Sequence, residues 1–277
     1  MAVVVTGATG NVGRALVAQL ANAGVEVRAV TRYPESAGFS NGVEVVKSAP
    51  VALPGASAVF LNSGALGDQL ATVVELAWWA GVRRLVAFSA VNADDDFSRQ
   101  PSRFFGDRNK EAEQMAIDSG MQWVSLRPST FACNFASMWS AQIRAGDVVA
   151  GPDAAACCAP ITERDIAAVA ARAMLTDELV GQRIRLTGPQ AHTNAELVEI
   201  IGSVLHRRLC YHEVPPQLLR QHLTAIGVSG ECSDAYVALA FTANEPAVVT
   251  PDVENVLGRP AESFAQWVAE HRSLFTR

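Results

Sequence analysis

The stretch that most constrains this chain is Val3-Val-Val-Thr6 running into Gly7-x-x-Gly10-x-x-Gly13 and then Arg14-Ala-Leu-Val-Ala-Gln-Leu20. An unbroken β-branched run favours a buried strand, and the apolar residues after Gly13 recur at helical spacing. Strand, glycine turn and helix in that order open a βαβ unit. Each glycine answers a separate need: a tight turn, a backbone that can approach a pyrophosphate, and close packing of the helix on the strand. The helix start adds N–H groups and the positive end of its dipole. The stretch predicts a dinucleotide site contacted by Gly7, Thr9, Gly10, Asn11, Val12 and Gly13.

The rest of the first 188 residues repeats the alternation of strand and helix. Gly24 ends the first helix and Val25 to Val30 reads as a second strand, followed by Thr31-Arg32. An acid at this position would bind the ribose 2′-hydroxyl of NAD, whereas a cation accommodates a 2′-phosphate, so Arg32 favours NADP(H). Further strands are expected at 43–46, 58–61, 84–89, 122–126 and 182–187, with helices at 68–80, 108–119 and 130–145. Asn62-Ser63-Gly64 and Ser89 then fall at the carboxyl edge of the sheet, where such folds place cofactor and chemistry. Trp78-Trp79 reads as packing, and Thr162 as a helix cap with Asp165 in the first turn. The fold class is a Rossmann-type doubly wound parallel α/β sheet. From 189 to 277 the pattern changes to short helices at 195–205, 215–226, 234–241 and 262–275, with a small strand at 209–212. This predicts a smaller, mostly helical substrate lobe, to which 146–160 also contributes.

Composition excludes several classes. A net charge of −6 with no basic stripe argues against nucleic acid as a partner. No stretch approaches the ~18 apolar residues of a membrane span, and the first residues lack the basic and apolar regions of a secretory leader. The expectation is a cytoplasmic protein, monomer or homodimer. Five cysteines carry no C-x-x-C or zinc spacing and read as reduced thiols; Asp94-Asp-Asp96 reads as a solvated acidic loop, so no metal is expected. Of 22 cationic side chains only Lys47 and Lys110 are lysines, so a retained lysine points to chemistry that needs an ammonium.

Several words of the sequence resemble the short-chain dehydrogenase/reductase superfamily in its atypical, NmrA-like branch, which includes quinone reductases and isoflavone-reductase-like enzymes. They are Thr6-Gly-Ala-Thr-Gly-Asn-Val-Gly13, Ala80-Gly-Val-Arg-Arg-Leu-Val86 with Ser89, Lys110-Glu-Ala-Glu113, Leu126-Arg-Pro-Ser129 with Phe131 and Asn134, and Asp165-Ile-Ala-Ala168. The resemblance implies that Ser89 polarises a carbonyl, that Lys110 binds the nicotinamide ribose, and that Pro128 and Phe131 join the cofactor contacts. It also implies a tyrosine four residues before the lysine, where this chain has Gly106; its tyrosines are Tyr33, Tyr211 and Tyr236.

The resulting expectation is an NADPH-dependent reductase of an aromatic ketone or quinone that works without the usual acid. A phenol beside the carbonyl could stabilise the developing oxyanion from within the substrate, as in tailoring of an aromatic polyketide antibiotic. Two alternatives stand beside it: a general quinone oxidoreductase, and a non-catalytic NADP(H)-sensing regulator. The substrate wall is expected from Phe131, Asn134, Phe135, Met138 and Trp139, with Phe97, Phe104 and Phe105 as a lid.

Overall fold

A computed structural model describes residues 2–241 and 247–276, and the chain divides into two compact units. The first comprises 1–93, 105–128 and 163–186; the second comprises 94–104, 129–162 and 187–277. The crossing between Leu186 and Thr187 lies beside residue 188, where the sequence divides the chain; the second unit also draws on two earlier insertions.

The first unit is a seven-stranded parallel sheet. Its strands are β1 (Ala2–Thr6), β2 (Glu26–Val30), β3 (Val43–Val46), β4 (Ala56–Asn62), β5 (Arg84–Phe88), β6 (Gln122–Pro128) and β9 (Arg183–Leu186), ordered β3-β2-β1-β4-β5-β6-β9. Helices α1 (Asn11–Asn22), α2 (Ala49–Ala52), α3 (Ser63–Leu66), α4 (Leu70–Trp79), α5 (Asn109–Asp118) and α7 (Glu163–Leu175) complete it. Val3, Val4, Val5, Phe60, Leu61, Leu85 and Val86 are fully buried, as strands covered on both faces require. The order reverses between β1 and β4, which creates the crevice at the carboxyl edge. The elements follow the expected segments to within a few residues, and α2 and α3 are additional single turns.

Two buried ionic groups tie helices to this sheet. Arg84, at the amino end of β5, donates to the Ala173 carbonyl at 2.9 Å in the last turn of α7 and pairs with Asp177. Glu113 of α5 is 1% exposed and accepts from Arg127 of β6 at 2.6 and 2.8 Å, from Arg183 of β9 at 2.6 Å, and from Ser125. Burial would raise its pKa, but the hydrogen bonds from Arg127, Ser125 and Arg183 outweigh it and hold the carboxyl at about 2. Trp78 and Trp79 depart from the expected packing role. Val73, Val74 and Ala77 take the inward face of α4, which turns the two indoles outward, edge to face at 4.8 Å.

The second unit packs around α6 (Ala132–Ala145), β7 (Val148–Gly151), β8 (Cys157–Cys158), β10 (His192–Thr193), α8 (Asn194–Leu205), β11 (Cys210–Glu213) and α12 (Phe264–Glu270). Strand β7 pairs in parallel with β11, and β8 antiparallel with β10. Its core joins Phe135, Trp139, Ile143, Leu197, Ile201, Phe264, Trp267 and Phe275. Helices α9 (Pro216–Ala225) and α10 (Gly230–Phe241) pack on each other, α9 burying no residue fully, and α11 (Asp252–Leu257) precedes α12. Among the described residues no helix is long and apolar enough to cross a membrane, and no group of three His, Cys, Asp or Glu could hold a metal ion.

The Glu113 cluster makes stability depend on pH with a definite sign. A carboxyl held at about 2 when folded and near 4.5 when unfolded stabilises the fold above pH 4.5 and loses that contribution as pH falls toward 2. We expect Glu113→Gln to melt lower than wild type at neutral pH, with the gap closing across that acid window in melts run at stepped pH. A gap independent of pH would show that the charge is not what counts.

Candidate functional site

The carboxyl ends of β1, β2, β4, β5 and β6 bring most of the expected site residues to one edge of the first unit. Gly7 takes a left-handed φ of +65°, and a Cβ on it would stand 2.8 Å from Asn62 Nδ2. A Cβ on Gly13 would lie 2.2 Å from the Gly7 carbonyl oxygen, and one on Gly10 3.3 Å from the same atom. The turn is thus closed on itself so tightly that α1 begins in contact with the strand end. Gly10 caps α1 without a side chain and no acid stands in the first turn, so the positive end of the helix dipole is left to an anionic ligand.

Threonines hold this turn against its neighbours. Thr6 Oγ1 donates to the Phe60 carbonyl at 2.7 Å and accepts from Asn62 N–H at 2.8 Å, linking the ends of β1 and β4. Thr9 and Thr31 hydroxyls meet at 3.2 Å, linking the glycine turn to the residue after β2. Arg32 follows, exposed, with its guanidinium carbon 6.0 Å from the Tyr33 ring centre.

The segment 62–64, expected at the carboxyl edge, caps and begins the one-turn helix α3: Asn62 Oδ1 accepts from Ala65 N–H at 3.1 Å, and Ser63 is buried. Ser63 Oγ accepts from Arg108 N–H at 2.9 Å and donates to Asn109 Oδ1 at 3.5 Å, so the start of α5 is joined to the end of β4. A Cβ on Gly64 would stand 2.4 Å from a carboxylate oxygen of Asp107. Lys110 is the second residue of α5 and is half-buried. Ser89 lies immediately past β5, its N–H donating to Leu126 O at 2.8 Å. Ser89 is 3% exposed, and among the described residues its buried hydroxyl has no hydrogen-bond partner. A buried hydroxyl without a partner costs about 1–3 kcal/mol, a cost a ligand accepting that hydrogen bond would remove.

Phe105 also belongs to this unit and is exposed, as is the edge residue Arg32; Pro128 ends β6 and is buried. The remaining expected residues lie in the second unit. Met138 and Asn134, four apart on α6, share an exposed face, and Phe131 precedes that helix with a backbone bridge to Ile161. Phe135 and Trp139 do not line a surface. Helical spacing turns both inward, where Phe135 meets Phe264 at 5.4 Å and Trp139 meets Tyr211 at 5.9 Å. Phe97 is exposed under the Arg103 guanidinium at 3.8 Å. The tyrosines are accounted for: Tyr211 donates to the Pro152 carbonyl at 2.5 Å, with its pKa pushed up by burial; Tyr33 is exposed; Tyr236 stands on α10. The sequence did not single out Asp107 or Asn109, small polar residues that only the fold brings to the edge.

This geometry fits a dinucleotide, with the glycine cradle and the unpartnered Ser89 hydroxyl as its two independent marks. Comparison with known proteins agrees. A model described as NAD(P)H-binding matches residues 7–177. A reductase of Streptomyces griseus acting on (4-alkanoyl-5-oxo-2,5-dihydrofuran-3-yl)methyl phosphate is 35% identical over 99% of both chains. An NAD(P)H azoreductase of Xenophilus azovorans is 29% identical over 99% of both. Among solved structures, an NADPH-dependent quinone oxidoreductase of Escherichia coli in complex with NADPH superposes with a TM-score of 0.81 at 21% identity, covering 98% of this chain and all of the other.

Gly13→Ala tests the cradle. The added methyl collides with the Gly7 carbonyl, so we expect a loss of about 1–3 kcal/mol in stability and at least a tenfold weaker NADPH affinity, read by thermal melts and by fluorescence titration.

Proposed function

The chain belongs to the NAD(P)H-binding family, in the NmrA-like branch of the short-chain dehydrogenase/reductases, and is an NAD(P)H-dependent reductase; from that premise we propose that its acceptor is a conjugated, electron-poor small molecule. The observation that carries this reading is Ser89: a buried hydroxyl donor at the carboxyl edge without a partner among the described residues, with Gly106 where the resembling enzymes carry an acid. One hydrogen bond can stabilise a delocalised anion, whereas an isolated alkoxide needs a proton from a stronger donor.

The relatives support the same class. The substrate named for the Streptomyces enzyme has a ring C=C conjugated to a lactone and an alkanoyl carbonyl, and an azo bond is a comparable electron-poor double bond. In each, hydride addition leaves charge that resonance spreads onto an electronegative atom, and water can protonate it. Quinones share this property, and an aromatic polyketide quinone is one member of the class.

The roles divide as follows. The bound nicotinamide supplies hydride. The glycine turn and the start of α1 hold the pyrophosphate, and Arg32 takes the 2′-phosphate. Ser89 Oγ–H donates to the oxygen of the acceptor on which charge develops, and Lys110 at the start of α5 holds the ribose. Within the second unit, Asn134 and Met138 share an exposed face of α6, and Phe135 and Trp139 support it from the core.

Following nicotinamide absorbance with NADPH against an acyl-substituted unsaturated lactone, a quinone, an azo dye and an isolated ketone tests the proposal. Turnover of the conjugated acceptors with little on the isolated ketone is expected. Preference for the isolated ketone, or tight NADPH binding with no oxidation by any acceptor, would overturn it; the latter outcome is the behaviour of a sensor. Ser89→Ala should lower kcat by about 10²-fold with NADPH affinity unchanged.

A further inference from the structure

Arg14 follows Gly13 directly and stands on the first turn of α1, yet its guanidinium does not serve that helix. Nη1 donates to the Ala37 carbonyl at 3.0 Å, and the guanidinium carbon lies 5.2 Å from the Phe39 ring centre. The side chain reaches across to the segment that follows β2, the segment that begins with Thr31 and Arg32. The Thr9–Thr31 contact of 3.2 Å holds the glycine turn against the start of that segment. Among the described residues neither Arg14 nor Arg32 has a carboxylate partner. Between Arg32 and Lys47 the chain supplies no other cation, and Glu35 and Glu44 add negative charge; Glu44 is paired with Arg28 at 3.1 Å.

A ribose 2′-phosphate is close to a dianion at neutral pH, and a single exposed guanidinium, with Glu35 three residues on, is a weak counterpart for it. Arg14 starts where the pyrophosphate would lie and ends beside the segment where the adenosine ribose would lie. Its two remaining faces of N–H donors are not taken by an acid. We propose that Arg14 is a second specificity-determining residue for the cofactor, donating to the 2′-phosphate together with Arg32, while its bond to Ala37 O fixes the guanidinium in place. Two forked donors approaching from different elements give bidentate recognition that one flexible arginine does not.

This inference rests on NADPH being the preferred cofactor, and the experiment separates the two. Dissociation constants for NADPH, NADH, 2′,5′-ADP and 5′-AMP would be measured by calorimetry for wild type, Arg14→Ala, Arg14→Lys and Arg32→Ala, each first checked by its thermal melt. Expected for Arg14→Ala is a rise of about tenfold in the constants for NADPH and 2′,5′-ADP, with NADH and 5′-AMP within about twofold of wild type. Arg14→Lys, which keeps the charge and loses the fork, should fall between. An equal rise for phosphorylated and unphosphorylated ligands would mean that Arg14 only orders the segment at 33–39, and would overturn the proposal. No change in any constant would overturn it as well. Should wild type already bind NADH as tightly as NADPH, the underlying cofactor reading falls too; should Arg32→Ala abolish the preference and Arg14→Ala leave it intact, only the role of Arg14 falls.

Discussion

The structure depends first on the approach of Gly13 to the Gly7 carbonyl, a contact in which even one methyl group would overlap. It fixes where α1 begins relative to the end of β1, and so where the unsatisfied N–H groups and the dipole of the helix point. The threonines then transmit this geometry sideways. Thr6 sets the end of β4 against β1, and Thr31 sets the segment after β2 against the turn. The cofactor edge is thus a set of strand ends held in register by short hydroxyl bonds, which is why its geometry does not rely on long flexible side chains.

Helix α5 is the second fixed part. Its start is joined to the end of β4 through Ser63, and one turn later Glu113 joins it to β6 and β9 through Arg127 and Arg183. Lys110 lies between these two attachments. Burying a carboxylate against two guanidinium groups is a weak source of net stability, yet removing one partner leaves a charge without a counterpart and costs about 3–5 kcal/mol. The cluster therefore acts mainly to specify how α5 sits on the sheet, and with it the residues its first turn presents at the carboxyl edge.

How much of this could be read from the sequence follows from the range of each interaction. The glycine turn, the strands at 43–46 and 84–88 and the helices that end at Gly24, Gly81 and Gly120 are set by local pattern, and those glycines take positive φ as helix ends require. The allocation of 94–104 and 129–162 to the second unit comes from contacts distant in the chain, which no local period records. Phe135 and Trp139 show the limit of composition: an aromatic-rich helix start suggests a ligand wall, but spacing of four places both on the face that meets Phe264 and Tyr211, leaving Asn134 and Met138 outward. Trp78 and Trp79 fail in the opposite direction, since apolar character alone does not say which side of α4 is covered. Asn109 was illegible, and Thr31 legible only as the residue before Arg32, because a small polar residue acquires its role from the neighbours the fold gives it.

In the proposed reading, Gly106, four residues before Lys110, constrains the chemistry more than any residue that is present. Within the first unit the proposed donor is the buried Ser89 hydroxyl, and the tyrosine of that unit, Tyr33, lies on the exposed segment after β2. Stabilising charge on oxygen with one hydrogen bond is worth a few kcal/mol, about what a delocalised enolate needs and less than a localised alkoxide does. The burden of stabilisation is thereby shifted from the protein to the conjugation of the substrate. A site of the proposed kind would select electron deficiency and the fit of a flat group rather than a particular carbonyl, the property shared by an acyl-substituted furanone and an azo bond, chemically unrelated groups named for two relatives that match this chain along almost its whole length.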